Sequence, residues 1–155
     1  MADPLYTVER EFPVTIDVLW RAWTDPVQLE AWYHPVDLSV VRGSVVSDPV
    51  VGGWWTVAVD VPSHGFVAYF YGRYTEVELH QRLVHTLAYT QSEAEFAQRD
   101  ESAPHHVITL DFEDRGESSW VRFTQIGEMP AEQVEATRQG TSSYFDSLEQ
   151  FLVDA

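Results

Sequence analysis

The sequence predicts an α+β domain in which a curved antiparallel sheet of about six to seven strands wraps one long C-terminal helix. Apolar and polar residues alternate with period two in several separate segments, two short helical segments follow the first of these, and residues 131–155 carry apolar side chains at helical spacing. Strands that are segregated from helices are typical of this class. A length of 155 residues fits one domain, so we expect a single domain over residues 1–155.

The first third of the chain is expected to form one strand and two short helices. LYTVEREF, residues 5–12, alternates well enough for a strand. Thr15 is placed to cap the first helix and Asp25 to cap the second, with Pro26 at the first helical position of the latter. The segment VGG then indicates a turn or a bulge that opens a strand over residues 54–61.

Two hairpins are expected in the rest of the sheet. Residues 66–77 and 82–90 flank the four-residue connection ELHQ, and Gly72 indicates a bulge in the first of these strands. Residues 107–114 and 119–126 flank the connection RGES.

Two further helices complete the prediction. Ser92 and Glu95 have the spacing of a capping box, which predicts a short helical lid between the hairpins. The segment from Ala131 onwards predicts one long amphipathic helix, with Gly140 as a weak point near its middle.

The composition excludes several classes of function. The chain has 25 acidic residues against nine basic ones, all arginine, and a formal net charge of −16. Such a surface repels phosphate backbones and anionic headgroups, so we expect neither nucleic acid nor a membrane as partner. The chain has no cysteine, and its six histidines lack a metal-binding spacing, so we expect no metal and no cofactor. Without a visible secretory signal, the expected compartment is the cytoplasm.

Six segments spread along nearly the whole chain carry a family resemblance. They read LWRAWTDPVQLEAWYHP, VGGWW, GRYTEV, RLVHT, VITLDFEDRG and GTSSYFDSLEQFL. Together they resemble the SRPBCC (START-like) superfamily and, more narrowly, the family related to the C-terminal domain of the heat-shock-protein-90 ATPase activator. The resemblance implies the helix-grip fold, with a cavity between the sheet and the long helix. It also implies binding of lipids, steroids, polyketides or other apolar molecules there, and cyclisation chemistry in a minority of members.

Period-two alternation and helical spacing select the side chains that are expected to face this cavity. The candidate ligand-binding residues are Trp55, Val57, Phe70, Tyr74, His85, Leu87, Leu110, Phe112, Phe123, Thr141, Tyr144, Phe145 and Leu148. Related sequences often have tryptophan at the position of Thr141, so this chain is expected to have a larger cavity unless Tyr144 fills the space. Trp20, Trp23, Trp32 and Tyr33 are expected to pack in the core, with Trp32 and Tyr33 nearest the pocket mouth.

One polar group of residues is expected in the cavity wall. If ELHQ is the loop, Val77 pairs with Arg82, so Tyr74 faces His85 and Glu76 lies diagonal to His85. Three interpretations remain open. His85 is a buried histidine satisfied by its neighbours, it anchors the polar end of a ligand, or it is a general base that works with Glu76.

The adjacent tryptophans of VGGWW are expected on opposite faces of their strand. Alternation places Trp55 in the cavity wall and Trp54 on the outer face, with Trp120 and Tyr69 or Tyr71 as companions. An exposed aromatic patch there would suit a homodimer, and packing under an adjacent loop is the alternative.

Three functional hypotheses follow from the sequence. The first is a binding module, rather than an enzyme, for a small hydrophobic molecule that is aromatic, polyketide-like or lipid-like. The second is a polyketide cyclase or hydrolase-like enzyme with His85 as general base. The third is a chaperone-associated interaction protein.

Overall fold

The structure is a computed structural model that describes residues 3–102 and 104–154. Its elements in chain order are β1 (Tyr6–Phe12), α1 (Ile16–Thr24), α2 (Pro26–Trp32), β2 (Ser39–Val40), β3 (Val46–Ser47), β4 (Trp54–Val61), a 3-10 turn (Pro62–His64), β5 (Phe66–Glu78), β6 (Arg82–Thr90), α3 (Glu93–Gln98), β7 (His106–Asp114), β8 (Ser119–Ile126) and α4 (Ala131–Asp154). Ala155, the last residue of the predicted C-terminal helix, lies outside the described residues.

All strands join one curved antiparallel sheet, as the sequence predicts. The strand order is β1-β8-β7-β6-β5-β4-β2, and β3 also pairs with β4. The first strand therefore lies beside the last one and forms one edge of the sheet. The two short strands β2 and β3, of two residues each, are additions that periodicity in so short a segment cannot indicate.

The helix starts follow the predicted capping residues, but the side-chain bonds differ at Thr15 and at Glu95. The Glu95 carboxylate accepts from the Thr90 hydroxyl and not from the Ser92 amide, which donates to Thr90. The Asp25 carboxylate accepts a hydrogen bond from the Val27 amide at 2.9 Å, and the Ser92 hydroxyl accepts one from the Glu95 amide at 3.2 Å. Thr15 occupies the N-cap of α1, but its hydroxyl donates to the Asp17 carboxylate instead of accepting from an amide. The predicted N-cap position of Thr15 is therefore confirmed, but the predicted capping hydrogen bond from its side chain is wrong.

The glycines of the sheet have two different roles. Gly52 has φ +88° and forms the turn before β4, which confirms the turn predicted from VGG. Gly72 is not at a bulge. A Cβ at this position would lie 1.9 Å from the backbone oxygen of Thr86 on β6, so the two strands approach too closely for any side chain.

The bulge of β5 lies at Thr75, between Tyr74 and Glu76. The hairpin loop is one residue shorter than predicted, because Glu78 pairs with Arg82. The extra residue on β5 restores the register, so Tyr74 still pairs with His85, as expected.

The core is built from aromatic side chains of α1 and α2 enclosed between the sheet and α4. The Trp23 ring packs against Trp32, Phe145 and Phe123, with centroid distances of 4.7, 5.8 and 6.4 Å. The Trp32 indole donates to the Ala22 carbonyl at 2.7 Å. These contacts fix the short helices against α4 and so position the roof of the cavity described below.

Candidate functional site

A cavity of about 210 Å³ lies between the sheet, α1 and α2, and the middle of α4. Its lining residues are Trp23, Tyr33, Phe70, Leu87, Phe123, Gln125, Thr137, Gly140, Thr141, Tyr144 and Phe145. The side chains are mainly aromatic or aliphatic, and none carries a formal charge at neutral pH. The site is therefore suited to an apolar molecule with few polar atoms.

The α4 wall of the cavity follows from helical geometry. Thr137, Gly140, Thr141, Tyr144 and Phe145 recur at spacings of three and four residues, so they share one face of the helix. In the part of the chain that the structure describes, no heavy atom lies within 4 Å of where a Cβ of Gly140 would be, apart from its chain neighbours and the nearby helix backbone. The missing side chain leaves that volume to the cavity and does not break the helix.

Six of the thirteen predicted ligand-binding residues line this cavity. They are Phe70, Leu87, Phe123, Thr141, Tyr144 and Phe145. Tyr33, which was expected near the mouth, also lines the cavity, and so does Gln125. Trp23, Thr137 and Gly140 were missed. Helical spacing from predicted residues could have placed them on the inner faces of α1 and α4. Spacing identifies the face of a helix, but not the part of that face that borders empty space.

The other seven predicted residues lie outside the cavity wall. Val57, Leu110, Phe112 and Leu148 are buried in the core. The Phe112 ring, for example, packs on Trp20 with a centroid distance of 5.1 Å. These side chains do face inward, but neighbouring side chains already fill the space in front of them. Trp32, expected near the mouth, is likewise enclosed.

Trp55, Tyr74 and His85 form an aromatic stack behind the cavity wall. The Trp55 ring packs against the cavity residue Tyr33 with a centroid distance of 5.4 Å and stacks on the His85 ring with a centroid distance of 4.2 Å. The Tyr74 ring meets the His85 ring edge-on, with a centroid distance of 5.9 Å. The Tyr74 hydroxyl bonds the Ser47 hydroxyl at 2.7 Å. Trp55 therefore supports the wall through Tyr33 and is not itself a lining residue.

The proposed pairing of His85 with Glu76 is wrong. Glu76 pairs with Val84, which neighbours His85 and so points to the opposite face of the sheet. There the Glu76 carboxylate bonds the Arg82 guanidinium at 3.1 Å. The bulge at Thr75 is the physical reason, because one extra residue reverses the alternation beyond it.

His85 behaves as a satisfied core histidine. It is 2% exposed, and its Nδ1 lies 2.8 Å from the Thr86 carbonyl, which can only accept a hydrogen bond. Burial lowers the pKa of His85 from 6.5 to about 4. A histidine with so low a pKa is neutral and weakly basic near neutral pH, which disfavours the general-base interpretation.

The low pKa of His85 predicts a pH dependence of folding. Between pH 6.5 and 4, His85 is protonated in the unfolded chain but remains neutral in the folded chain. The free energy of unfolding therefore falls as pH falls. The difference in pKa corresponds to about 3 kcal/mol. We expect the free energy of unfolding of His85→Phe, measured by urea denaturation, to fall by about 3 kcal/mol less than that of the wild type when the pH is lowered from 7 to 4. Equal losses in the two proteins would contradict the assignment.

A chain of hydrogen bonds runs from the cavity wall to the start of β7. The Tyr6 hydroxyl bonds both Gln125 Oε1 and the Thr141 hydroxyl, the latter at 2.7 Å. Gln125 Nε2 lies 2.7 Å from His106 Nδ1, and His106 Nε2 lies 3.0 Å from the Glu128 carbonyl. Burial raises the pKa of Tyr6 to about 12, so its proton remains available to this chain.

The outer face near Trp54 is covered by the segment that follows β6. The guanidiniums of Arg73 and Arg99 lie over the Trp54 ring, 3.9 and 5.1 Å from its centroid. Phe96 of α3 packs on Tyr69 at 4.8 Å, in agreement with the loop-packing alternative.

Trp120 is not a companion of Trp54. It lies on β8, four strand positions from β4, or roughly 19 Å at the usual strand spacing. Arg122 lies over its ring, 4.9 Å from the centroid. The aromatic residues of the outer face therefore form separate groups, and the homodimer remains a prediction.

Among the described residues, no group of three or more histidine, aspartate or glutamate side chains could hold a metal ion. Within the same part of the chain, no helix has the length and apolar character needed to cross a membrane.

A long helix gripped by a curved antiparallel sheet, with a cavity between them, defines a helix-grip protein of the SRPBCC type. The chain belongs to the family described as Activator of Hsp90 ATPase homolog 1-like protein, whose model matches residues 13–153. No curated protein matches the chain.

Solved structures of similar proteins support the same fold. A protein from Chromobacterium violaceum is 20% identical, with 94% of each chain covered and a TM-score of 0.77. The AHSA1 protein from Silicibacter pomeroyi is 19% identical over 96% of each chain, also with a TM-score of 0.77. A protein from Staphylococcus epidermidis is 26% identical, covering 96% of this chain and 88% of its own, with a TM-score of 0.76.

Proposed function

We propose that the protein binds a small apolar molecule in the cavity between the sheet and α4. The observation that carries the proposal is the cavity itself, which is lined by aromatic side chains from α1, α4, the sheet and Tyr33 at the end of α2. Membership of a fold family that binds ligands at this place supports it.

The size of the cavity limits the ligand. A dry cavity of about 150 Å³ in another protein holds benzene, so about 210 Å³ suits a molecule of one or two rings and not a whole steroid or long lipid. Burial of roughly 250 Å² of ligand surface at about 25 cal/mol per Å² yields about 6 kcal/mol before the cost of association. We therefore expect weak binding, with dissociation constants in the millimolar range for a bare hydrocarbon.

Titration with indane, a neutral hydrocarbon of two fused rings, tests the proposal. In amide NMR spectra we expect saturable shifts at the wall positions of β6, β8 and α4, including Leu87, Phe123 and Tyr144. Amides around Trp54 on the outer face serve as the internal control and should not move. Absence of saturable shifts, or shifts confined to the outer face, would refute cavity binding.

The family description supports a second candidate, association with a chaperone. This function would use an outer surface, so it does not depend on the cavity. Purified Hsp90 chaperone should then be retained by the immobilised protein, with equal retention in the presence of saturating indane. Failure to retain it would count against this candidate and leave the cavity proposal unaffected.

A further inference from the structure

The polar groups of the cavity wall fall into two sets, and the first set is already hydrogen-bonded within the protein. The Glu128 carbonyl can only accept, so Nε2 of a neutral His106 carries the hydrogen and Nδ1 accepts from Gln125. Gln125 Oε1 then faces Tyr6, whose hydroxyl donates to it. Thr141 must therefore donate its own hydrogen to Tyr6. The hydroxyl hydrogen of Thr141 is not left for a ligand.

The second set consists of Tyr33 and Tyr144. Their rings meet at a centroid distance of 4.9 Å and both line the cavity. Within residues 3–102 and 104–154, neither hydroxyl has a hydrogen-bond partner, although Tyr33 is only 7% exposed. Trp23 Nε1 also lacks an acceptor there, but that atom is enclosed by protein, whereas the two tyrosine oxygens are not. Among the described residues, the cavity wall thus carries two hydroxyl donors without acceptors, on two neighbouring rings.

The electrostatics of the cavity favour a neutral ligand. Burial raises the pKa of both Tyr33 and Tyr144, so each keeps its proton and can donate it. Among the described residues, no arginine or histidine lines the cavity, and the chain carries a net charge of −16. A carboxylate would lose its hydration without gaining a cationic partner.

We propose that the cavity selects neutral carbonyl compounds of about two fused rings, whose oxygen accepts hydrogen bonds from Tyr33 and Tyr144. A carbonyl oxygen has two lone pairs and can meet two donors at once, so it satisfies both hydroxyls with a single polar atom. The rest of such a molecule is apolar and matches the remaining wall. This inference rests on the proposed function, because it names the class of ligand for the same cavity.

A matched series of ligands tests the selectivity. Indane, 1-indanone and indane-1-carboxylate share one bicyclic skeleton and differ in having no oxygen, a ketone or a carboxylate. We expect 1-indanone to bind about tenfold more tightly than indane, and the carboxylate at least tenfold more weakly than the ketone. The dissociation constants are measured by NMR titration at pH 7.

Conservative variants locate the contact. Tyr33→Phe and Tyr144→Phe each remove one hydroxyl and keep the ring, so each should weaken 1-indanone binding about fivefold and leave indane binding unchanged. Tyr69→Phe, on the outer face, is the matched control and should alter neither affinity.

The outcomes separate the inference from the proposed function. If indane fails to bind in the cavity of the wild-type protein, the proposed function itself fails, whatever 1-indanone does. If indane binds but 1-indanone binds no more tightly, or the carboxylate binds best, cavity binding stands and carbonyl selectivity is refuted. Equal effects of Tyr69→Phe and the two cavity variants would also refute the assigned contacts.

Discussion

Replacing Thr141 by tryptophan is expected to abolish ligand binding while the protein remains folded. Thr141 lies in the α4 wall, and an indole there would occupy much of the cavity of about 210 Å³. The lost hydrogen bond costs little, because the Tyr6 hydroxyl still donates to Gln125. We expect the affinity for indane to fall at least tenfold in the NMR titration, with a cooperative urea transition retained.

The control for this prediction is a tryptophan elsewhere on the same helix. Ala136 is exposed on α4 and outside the cavity wall, so Ala136→Trp adds the same side chain without filling the cavity. Its affinity for indane should equal that of the wild type. If Thr141→Trp is folded and binds indane as the wild type does, ligand binding takes place elsewhere.

Replacing Gly72 by alanine is expected to cause a large loss of stability. A single Cβ would lie 1.9 Å from the Thr86 backbone oxygen and 2.7 Å from its hydroxyl oxygen. Strands β5 and β6 would have to separate, which strains their ladder and the bond from the Arg73 amide to the Thr86 hydroxyl. We expect the free energy of unfolding to fall by about 3 kcal/mol and Tm by roughly 10 °C.

Gly140→Ala is the matched control for Gly72→Ala, since it makes the same chemical change in a different environment. Gly140 lies within α4, and a Cβ there would meet none of the described residues within 4 Å apart from its chain neighbours and the nearby helix backbone. Alanine is the better helix former by up to about 1 kcal/mol, so this variant should be more stable than the wild type. Both are measured by urea denaturation. Loss of stability in both variants, to the same extent, would show that strand separation is not the cause.

The residues around His85 show which side-chain positions period-two alternation can predict and which it cannot. Alternation placed Tyr74 and His85 on one inner face, and the structure confirms that they pair. It failed for Glu76, because the bulge at Thr75 has no signal in residue type: no glycine or proline stands there. A bulge is selected by how two strands fit each other over their whole length, and the sequence of one strand does not contain that information.

The cavity shows a second limit of the same kind. Inward-facing residues could be identified strand by strand, but Val57 and Leu110 are enclosed whereas Phe70 and Phe123 border open space. The difference depends on where α4 and the Trp23 and Tyr33 rings lie above the sheet. Periodicity defines the face of an element, and only packing between elements decides which part of that face remains unfilled.

The sequence by itself determined the order and type of the main elements, the inner and outer faces of most strands, and the family. These properties depend on local propensity, capping and period-two or helical spacing, which neighbouring residues encode. The tertiary structure alone decided three things: the separation of Glu76 from His85, the position of Trp55 behind Tyr33, and the pair of unbonded hydroxyls of Tyr33 and Tyr144. The first depends on how β5 and β6 fit each other. The other two involve residues far apart in the chain, whose contacts are fixed only when the sheet closes over α4.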